Sequence, residues 1–305
     1  MSVMSVSNRH ILEQGKVLRT LAGVGVRSVV RRPRKRGPLP TVPGPFIETE
    51  LRPRSAGLVR DYILHVGGDP QWYEGMVPAH FFPQWGFPLA ARAIEKLPYP
   101  LARVMNAGCR IEQHAPLPAN ERLLVRARLQ ALDDDGRRAL ITQRVITGTR
   151  SAPDAIVADL RAYVPLAKKR KPKKEDTVKE RPSVPSEARE IAFMQLGSKA
   201  GLDFAKLTGD FNPIHWLTPY AKLAGFRSCI LHGFSTMAHA IEALNRSVLE
   251  GKVTRLASID VRFTRPLPLP ARVGVYVTDE GGIWVGDRPG GDAYLEGQFT
   301  LEASR

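Results

Sequence analysis

The chain lacks the features that would place it in a membrane, in a disulfide-stabilised class or among nucleic-acid binders. Only two of its 305 residues are cysteine, Cys109 and Cys229, and they form no Cys-x-x-Cys pair. This argues against a disulfide framework and favours a reducing compartment such as the cytoplasm. No stretch approaches the roughly 20 consecutive apolar residues that a membrane-spanning helix needs. Aromatic residues are not interleaved with the basic runs, which disfavours a nucleic-acid-binding surface.

Acidic residues are scarce relative to basic ones, since 30 Asp and Glu oppose 45 Lys and Arg, giving a formal net charge of +15. That excess lies almost entirely in two segments. Residues 1–37 carry a net charge of +8, and residues 168–181 carry +5. The rest of the chain is nearly neutral, so the basic charge belongs to segments beside the folded body and not to one of its faces.

The second basic segment predicts a boundary between two domains. Its charges repel one another, and Pro172, Pro182 and Pro185 oppose compact packing. We therefore divide the chain into a basic N-terminal extension, a first domain, a basic linker and a second domain, at residues 1–39, 40–166, 167–182 and 183–305.

The N-terminal extension admits three interpretations. Ile11, Leu18, Leu21 and Val29 could form the apolar stripe of a helix that lies on a membrane surface beside arginine and lysine. The arginine-rich, acid-poor composition also fits an organelle presequence. The third interpretation is a basic tail without regular structure. Peripheral membrane contact through this segment is therefore an open expectation.

Short motifs recur in both domains in the same order, which predicts a duplicated domain. A duplication of this kind implies a pseudo-dimer within one chain and leaves a homodimer of chains open. The matching pairs are residues 91–97 with 238–244, residues 116–118 with 266–268, and residues 68–69 with 209–210.

Hydrophobic periodicity predicts one long helix in each domain, followed by strands joined by short turns. In the second domain the helix runs from about residue 234 to 249, with its apolar residues on one stripe. This order of elements predicts an α+β class, with an antiparallel sheet packed on a long helix. The first-domain helix is predicted near 86–97, with strands near 103–113, 122–132, 138–148 and 155–164. Second-domain strands are predicted near 259–263, 273–277, 283–285 and 294–301.

The densest group of chemistry-bearing residues lies between positions 204 and 236. It contains Gly-Asp210-Phe-Asn212-Pro-Ile-His215, then Ala-Gly-Phe at 224–226, then Leu-His-Gly at 231–233. A carboxylate and an imidazole on one short turn can hold a single water between them. Gly233 opens the apolar helix, so its backbone N–H has no partner within the helix and a substrate oxygen can approach it closely.

These elements resemble the MaoC-like, or type 2, enoyl-CoA hydratases, whose motif is Gly-Asp-x-Asn-Pro-x-His. The resemblance is specific over about 33 residues and extends more weakly over both domains. It implies a double hot-dog fold in which each of two antiparallel sheets wraps a long central helix. It also implies a hydro-lyase without a cofactor, which interconverts trans-2-enoyl and (R)-3-hydroxyacyl thioesters of coenzyme A or acyl carrier protein.

The same resemblance assigns roles to individual residues. Asp210 and His215 would be the catalytic pair, Asn212 would orient the water or the pair, and the Gly233 N–H would form the oxyanion hole. Which member of the pair is the base stays open, because coupled groups need not have a unique assignment. Ser235 is expected to bond either the pair or its own helix turn.

Two arginines near the motif are candidates for substrate binding. Arg227 follows the Ala-Gly-Phe element, and Arg265 follows the strand after the long helix. Guanidinium groups bind phosphates well, as in coenzyme A or a phosphopantetheine arm. The alternative is that both are exposed charges without a ligand.

Other readings of the motif carry less weight. A hot-dog thioesterase typically lacks the Asn-Pro-x-His element, and a non-catalytic acyl-binding protein is favoured only if Asp210 and His215 point away from a cleft. Asp210, His215, Cys229 and His232 match no closed tetrahedral metal pattern, so we expect no metal. Ser235 lacks the Gly-x-Ser-x-Gly turn of many serine hydrolases.

The first domain departs from the motif. The residue five positions after Asp69 is Glu74 and not histidine, and no His-Gly precedes the first-domain helix. We therefore expect this domain to support the second without performing chemistry. Aromatic residues such as Phe82 and Trp85 could line an acyl path, although such clusters more often form a core.

Overall fold

The computed structural model describes residues 6–15, 39–100, 104–166 and 181–302. The predicted helices and strands lie within three residues of the observed bounds. Within the described ranges the helices are α1 Arg9–Glu13, α2 Ala56–His65, α3 Pro83–Ile94, α4 Ala200–Thr208, α5 Thr218–Leu223 and α6 Gly233–Ser247. The strands are β1 Ile47–Leu51, β2 Met76–Val77, β3 Met105–Gln113, β4 Leu117–Pro118, β5 Leu123–Asp134, β6 Arg138–Gly148, β7 Ile156–Pro165, β8 Arg189–Leu196, β9 Leu256–Phe263, β10 Ala271–Val277, β11 Gly282–Gly286 and β12 Ala293–Leu301.

Each domain contributes five strands in the same spatial arrangement. The sheet order is β1-β5-β6-β7-β3-β9-β12-β11-β10-β8, and it has the same pattern from either edge. In the first half, β1 precedes the long helix and lies at the outer edge of the sheet, and β3 follows that helix and lies at the centre. In the second half, β8 and β9 occupy the same two places. This symmetric order is what a duplicated domain predicts.

The two halves join edge to edge through β3 and β9, so that ten strands form one continuous antiparallel sheet. Cys109 lies opposite Val261, and Ile111 lies opposite Ile259. All four side chains are buried. Because this pairing adds ladder hydrogen bonds to apolar contact, the halves form a pseudo-dimer with a continuous core.

A long helix packs on each half of the sheet. Helix α3 lies against β5 and β6, and α6 lies against β8, β11 and β12. Met237, Ile241 and Leu244 are buried on α6, as the predicted stripe requires. The packing directs the beginning of α6 toward the turn that follows α4.

Part of the basic extension packs against the body and is not a detached tail. His10 is buried, and its Nε2 lies 2.7 Å from Asp61 Oδ2 on α2. The Gln14 amide donates to the carbonyl oxygens of Lys206 and Leu207 at 3.2 and 3.0 Å. Residues 6–15 therefore brace the end of α4. The predicted apolar stripe beyond them falls on residues 16–38, outside the described ranges.

Both cysteines are free and buried. Their number and spacing in the sequence had already argued against a disulfide framework. Among the described helices, none is both long and apolar enough to cross a membrane.

Candidate active site

Asp210 is positioned by the end of helix α4. The helix terminates at Gly209, whose φ of +83° is a left-handed conformation that glycine adopts without a steric penalty. The Asp210 side chain is 20% exposed, and its Oδ1 accepts the Asn212 N–H at 3.3 Å. The carboxylate is thus held in place and remains accessible from solution.

His215 sits on the short 3-10 turn Pro213–His215. Asn212 Oδ1 accepts the Ile214 N–H at 3.3 Å and caps this turn. His215 Nδ1 lies 2.8 Å from the Ile230 carbonyl oxygen. Since a carbonyl can only accept, Nδ1 carries the proton and Nε2 keeps its lone pair in the neutral ring. Asn212 therefore positions the pair through its backbone, since its N–H donates to Asp210 Oδ1 at 3.3 Å and its carbonyl accepts the His215 N–H at 3.1 Å, while its side chain caps the turn.

Burial lowers the pKa of His215, although the Asp210 charge and the bond to Ile230 oppose that shift. The imidazole is therefore predominantly neutral near pH 7, with a free lone pair on Nε2. A neutral imidazole beside a carboxylate is suited to accept a proton from water.

His232 belongs to this site more closely than the sequence suggested. Its ring stacks on His215, with centroids 3.5 Å apart and planes at 24°. Its Nε2 lies 3.0 Å from the Asp210 carbonyl oxygen. Burial, followed by the neighbouring His215, holds the pKa of His232 well below its usual range. No sequence pattern predicts this stack, because the two residues lie on different elements.

Ligand atoms of Asp210, His215 and His232 all lie within 4.8 Å of one another, a spacing that also suits a metal ion. The orientation of the rings does not suit one. Imidazole lone pairs lie in the ring plane, so two stacked rings direct them side by side and not toward a common point. One nitrogen of each ring is within hydrogen-bonding distance of a carbonyl, which leaves the other nitrogen of each ring free.

Gly233 is the first residue of α6, where the backbone N–H has no acceptor within the helix. A Cβ added at this position would lie 2.7 Å from the ring of Phe263. Only glycine fits there without displacing the ring. Ser235, the third residue of the helix, has a buried Oγ without a hydrogen-bond partner among the described residues. Neither of its two predicted bonds is present.

The two candidate arginines differ in their exposure and in their ion-pair partners. Arg227 is exposed. Arg265 is partly buried and forms an ion pair with Asp292, while its Nη2 is buried without a partner among the described residues. A phosphate would have to compete with Asp292 for Arg265, whereas Arg227 is accessible.

The first domain contains a structural counterpart of the catalytic turn. Gly67 ends α2 with a φ of +86°, as Gly209 ends α4. Asp69 caps the 3-10 turn Pro70–Tyr73 through a 3.0 Å bond from the Gln71 N–H, as Asn212 caps its own turn. Asp69 therefore corresponds to Asn212 and not to Asp210, so the sequence comparison with Glu74 was out of register.

The two turns differ at two places. Only Gly68 separates Gly67 from the capping Asp69, whereas Asp210 and Phe211 separate Gly209 from Asn212. Gly68 carries no side chain, and a Cβ there would lie 2.6 Å from the Glu242 carboxyl carbon. The third residue of the turn is Trp72, where the second domain has His215. The Asp–His pair is thus absent from the equivalent turn.

A buried polar cluster occupies this part of the first domain. Glu242 of α6 accepts bonds from Tyr73 at 2.8 Å, from His80 at 3.0 Å and from Asn245 at 3.1 Å. All four side chains are buried, and an open pocket beside them is lined partly by Tyr73, His80 and Asn245. We call these four residues the mirror cluster. No sequence pattern predicts this cluster, since Tyr73 and Glu242 lie 169 positions apart.

The predicted aromatic lining of the first domain is core. Phe82 and Trp85 are buried. The Phe82 ring packs edge-on against Phe234 with centroids 5.9 Å apart, and the Trp85 indole donates to Thr147 at 2.9 Å.

Comparison with known proteins identifies similar sequences. Residues 168–292 match the family described as MaoC like domain. The 3-hydroxyacyl-thioester dehydratase X of Mycobacterium tuberculosis is 25% identical over 219 residues, which cover 70% of this chain and 73% of that protein. The peroxisomal enoyl-CoA hydratase 2 of Arabidopsis thaliana is 45% identical over 58 residues, only 19% of each protein.

Comparison of structures supports the fold. HtdX of Mycobacterium tuberculosis superposes with a TM-score of 0.66 at 21% identity, over 84% of this chain and 99% of that one. Another M. tuberculosis protein, described as having a double hot-dog fold, superposes with a TM-score of 0.54 at 15% identity, over 87% of this chain and 98% of that one. The predicted double hot-dog fold is confirmed.

Proposed function

We propose that this chain, which carries a MaoC-like dehydratase domain at residues 168–292, is a hydro-lyase that interconverts trans-2-enoyl and 3-hydroxyacyl thioesters. The observation that carries the proposal is the pair formed by Asp210 and His215. Their ligand atoms lie within 4.8 Å of each other, the carboxylate is partly exposed, and the imidazole keeps a free lone pair on Nε2. The names of the two sequence relatives support the same reaction class for this chain.

The pair accounts for both proton transfers of a hydration. A water molecule between the carboxylate and Nε2 loses a proton to the pair as its oxygen bonds to C3 of the enoyl group, and the pair returns that proton to C2, so both groups regain their starting state. Negative charge develops on the thioester oxygen, where the Gly233 N–H at the positive end of α6 stabilises it. Dehydration uses the same groups in reverse. The assignment of the base within the pair stays open, and the (R) configuration rests on the family resemblance.

The identity of the thioester carrier is part of the proposal. Coenzyme A and acyl carrier protein both present a phosphopantetheine arm, and Arg227 is an accessible cation near the motif. The free, buried cysteines favour a reducing compartment, which we take to be the cytoplasm. Peripheral membrane contact through the basic N-terminus, and a homodimer of the single-chain pseudo-dimer, are further proposals.

An assay of the full-length chain with trans-2-enoyl-CoA substrates of several lengths tests the function. Hydration is followed by loss of the conjugated thioester absorbance, and release of free coenzyme A is followed with a thiol reagent. We expect hydration without thiol release; thiol release alone would identify a thioesterase, and neither signal with any substrate would contradict the proposal.

Two variants test the assigned pair. Asp210→Asn and His215→Ala should each lower turnover by about 10²–10⁴, the usual contribution of a general acid or base. Both side chains lie on turns, so circular dichroism should show a retained fold. Near wild-type turnover in either correctly folded variant would show that the pair is misassigned.

A further inference from the structure

The His232 ring joins three elements of the proposed active site. It stacks on His215 of the 3-10 turn on one side, and on the other it faces the Phe204 ring of α4 at a centroid distance of 4.9 Å. Its Nε2 lies 3.0 Å from the Asp210 carbonyl oxygen and 3.9 Å from the carboxylate Oδ2. The residue is 2% exposed, so these contacts are shielded from solvent.

His232 is also fixed by its own backbone. It is the N-cap of α6, with φ −63° and ψ 135°. The preceding Leu231 N–H donates to the Leu267 carbonyl at 2.8 Å, and the Thr236 N–H donates back to the His232 carbonyl at 3.1 Å. The ring is therefore carried by the backbone residue that directly precedes the Gly233 N–H, at the hydrogen-bonded beginning of α6.

Core filling does not explain an imidazole at this position. Because the Asp210 carbonyl can only accept, Nε2 carries the proton and Nδ1 must be a bare acceptor in the neutral ring. That Nδ1 is buried without a partner among the described residues. Burying an unpartnered nitrogen is unfavourable, and a phenyl ring would fill the same space without it. The contact that distinguishes imidazole from phenyl is the bond to Asp210.

We infer that His232 is a positioning residue, which holds Asp210 by its Nε2–H at a fixed distance from the Gly233 N–H. This inference rests on the proposed function of the pair. The His-Gly element at residues 232–233 thus contributes a histidine that holds Asp210 as well as the glycine N–H. The imidazole of His232 transfers no proton in this scheme and stays in the neutral Nε2–H form.

Two substitutions separate the hydrogen bond from the space that the ring fills. His232→Gln places an amide N–H the same number of bonds from Cβ as Nε2, so it can still donate to Asp210. His232→Phe keeps a stacked ring and loses the donor. Since displacement of a reacting group by about 1 Å can cost 10²-fold in rate, we expect His232→Phe to lower kcat at least about tenfold. KM should change less than about threefold, and His232→Gln should recover most of kcat.

His239→Gln is the matched control, because His239 is a histidine of the same helix whose Nδ1 lies 2.8 Å from the Ser235 carbonyl and which makes no hydrogen bond to the pair. Its kcat should stay close to wild type. The inference is overturned if His232→Phe keeps wild-type kcat, or if His232→Gln is as impaired as His232→Phe in proteins that melt alike.

Nitrogen-15 NMR of the histidine rings in the wild-type chain gives a test that needs neither activity nor a stable variant. We expect His232 as the Nε2–H tautomer with an unbonded Nδ1 at neutral pH. A protonated Nδ1, or a charged ring, would refute the inference. If the wild-type chain hydrates no enoyl thioester while this tautomer is observed, the proposed function fails and the contact to Asp210 stands.

Discussion

The molecule contains two carboxylate–histidine groups, Asp210 with His215 within the second half and Glu242 with His80 between the halves, and their surroundings differ. In the second half the Asp210 carboxylate is 20% exposed and accepts one backbone N–H within its own turn. In the mirror cluster the Glu242 carboxylate is 1% exposed and accepts three side-chain donors. A carboxylate saturated with donors contributes to stability and specificity, whereas one with free lone pairs is available to water.

The second domain supplies both acids, and the difference lies in what each acid meets. Asp210 and His215 lie on one turn of that domain, but Glu242 reaches from α6 toward Gly68 of the first domain. The mirror cluster therefore holds the two halves together through hydrogen bonds between them. The Asp210 carboxylate, by contrast, stays 20% exposed, so water can reach it.

Replacement of Glu242, the acid of the mirror cluster, should have the largest effect on the free energy of unfolding. Glu242→Ala leaves Tyr73, His80 and Asn245 buried without their shared acceptor, and breaking a buried pair of this kind costs about 3–5 kcal/mol. Urea unfolding should show a correspondingly lower midpoint, while kcat per folded molecule stays within a few-fold of wild type. Glu280→Ala, at an exposed turn, is the control and should change stability little. An unchanged midpoint for Glu242→Ala would show that the cluster does not join the halves.

Stability should fall with acid because of the buried histidines around the catalytic turn. Burial lowers the pKa of His65 to about 3, and it also lowers the pKa of His215 and His232. A histidine with a folded-state pKa below its unfolded value near 6.5 binds its proton preferentially when unfolded. The free energy of unfolding should therefore decrease as pH drops below about 6.5, by up to about 1.4 kcal/mol per pH unit for each such histidine.

Unfolding by urea from pH 7.5 to pH 5 measures this dependence. His65→Leu should make the slope shallower, because one group with a lowered pKa is removed. A free energy of unfolding that stays constant or rises on acidification would contradict the neutral assignment of these rings.

The smallest effect is expected at Glu74. This residue is exposed and follows the first-domain turn, where the Asp–His pair is absent. Glu74→Gln should leave kcat and KM close to wild type, and titration with a tight-binding substrate analogue should give one site per chain. Two equivalent sites per chain, or a large loss in Glu74→Gln, would place chemistry in the first domain after all.

The part of the site that could be predicted from the sequence consists of residues that lie close together in the chain. Asp210, His215 and Gly233 were identifiable because a turn and a helix beginning are local structures, which their own residue types favour. The comparison between domains was less reliable. Aligning Asp69 with Asp210 by letter gave the wrong register, since Asp69 is a capping residue that corresponds to Asn212. Capping by Asp and by Asn satisfies the same backbone N–H, so the two are interchangeable at that task.

The sequence by itself determined the elements. Alternation of apolar residues produced strands such as β9, the helical stripe produced α6, and duplication produced the symmetric strand order. Only the tertiary structure decided which distant residues meet. The stack of His215 on His232 and the bond from Tyr73 to Glu242 depend on how β3 pairs with β9 and how α6 lies on the sheet. Hydrophobic periodicity reports which face of an element is buried, but it carries no information on the partner that covers that face.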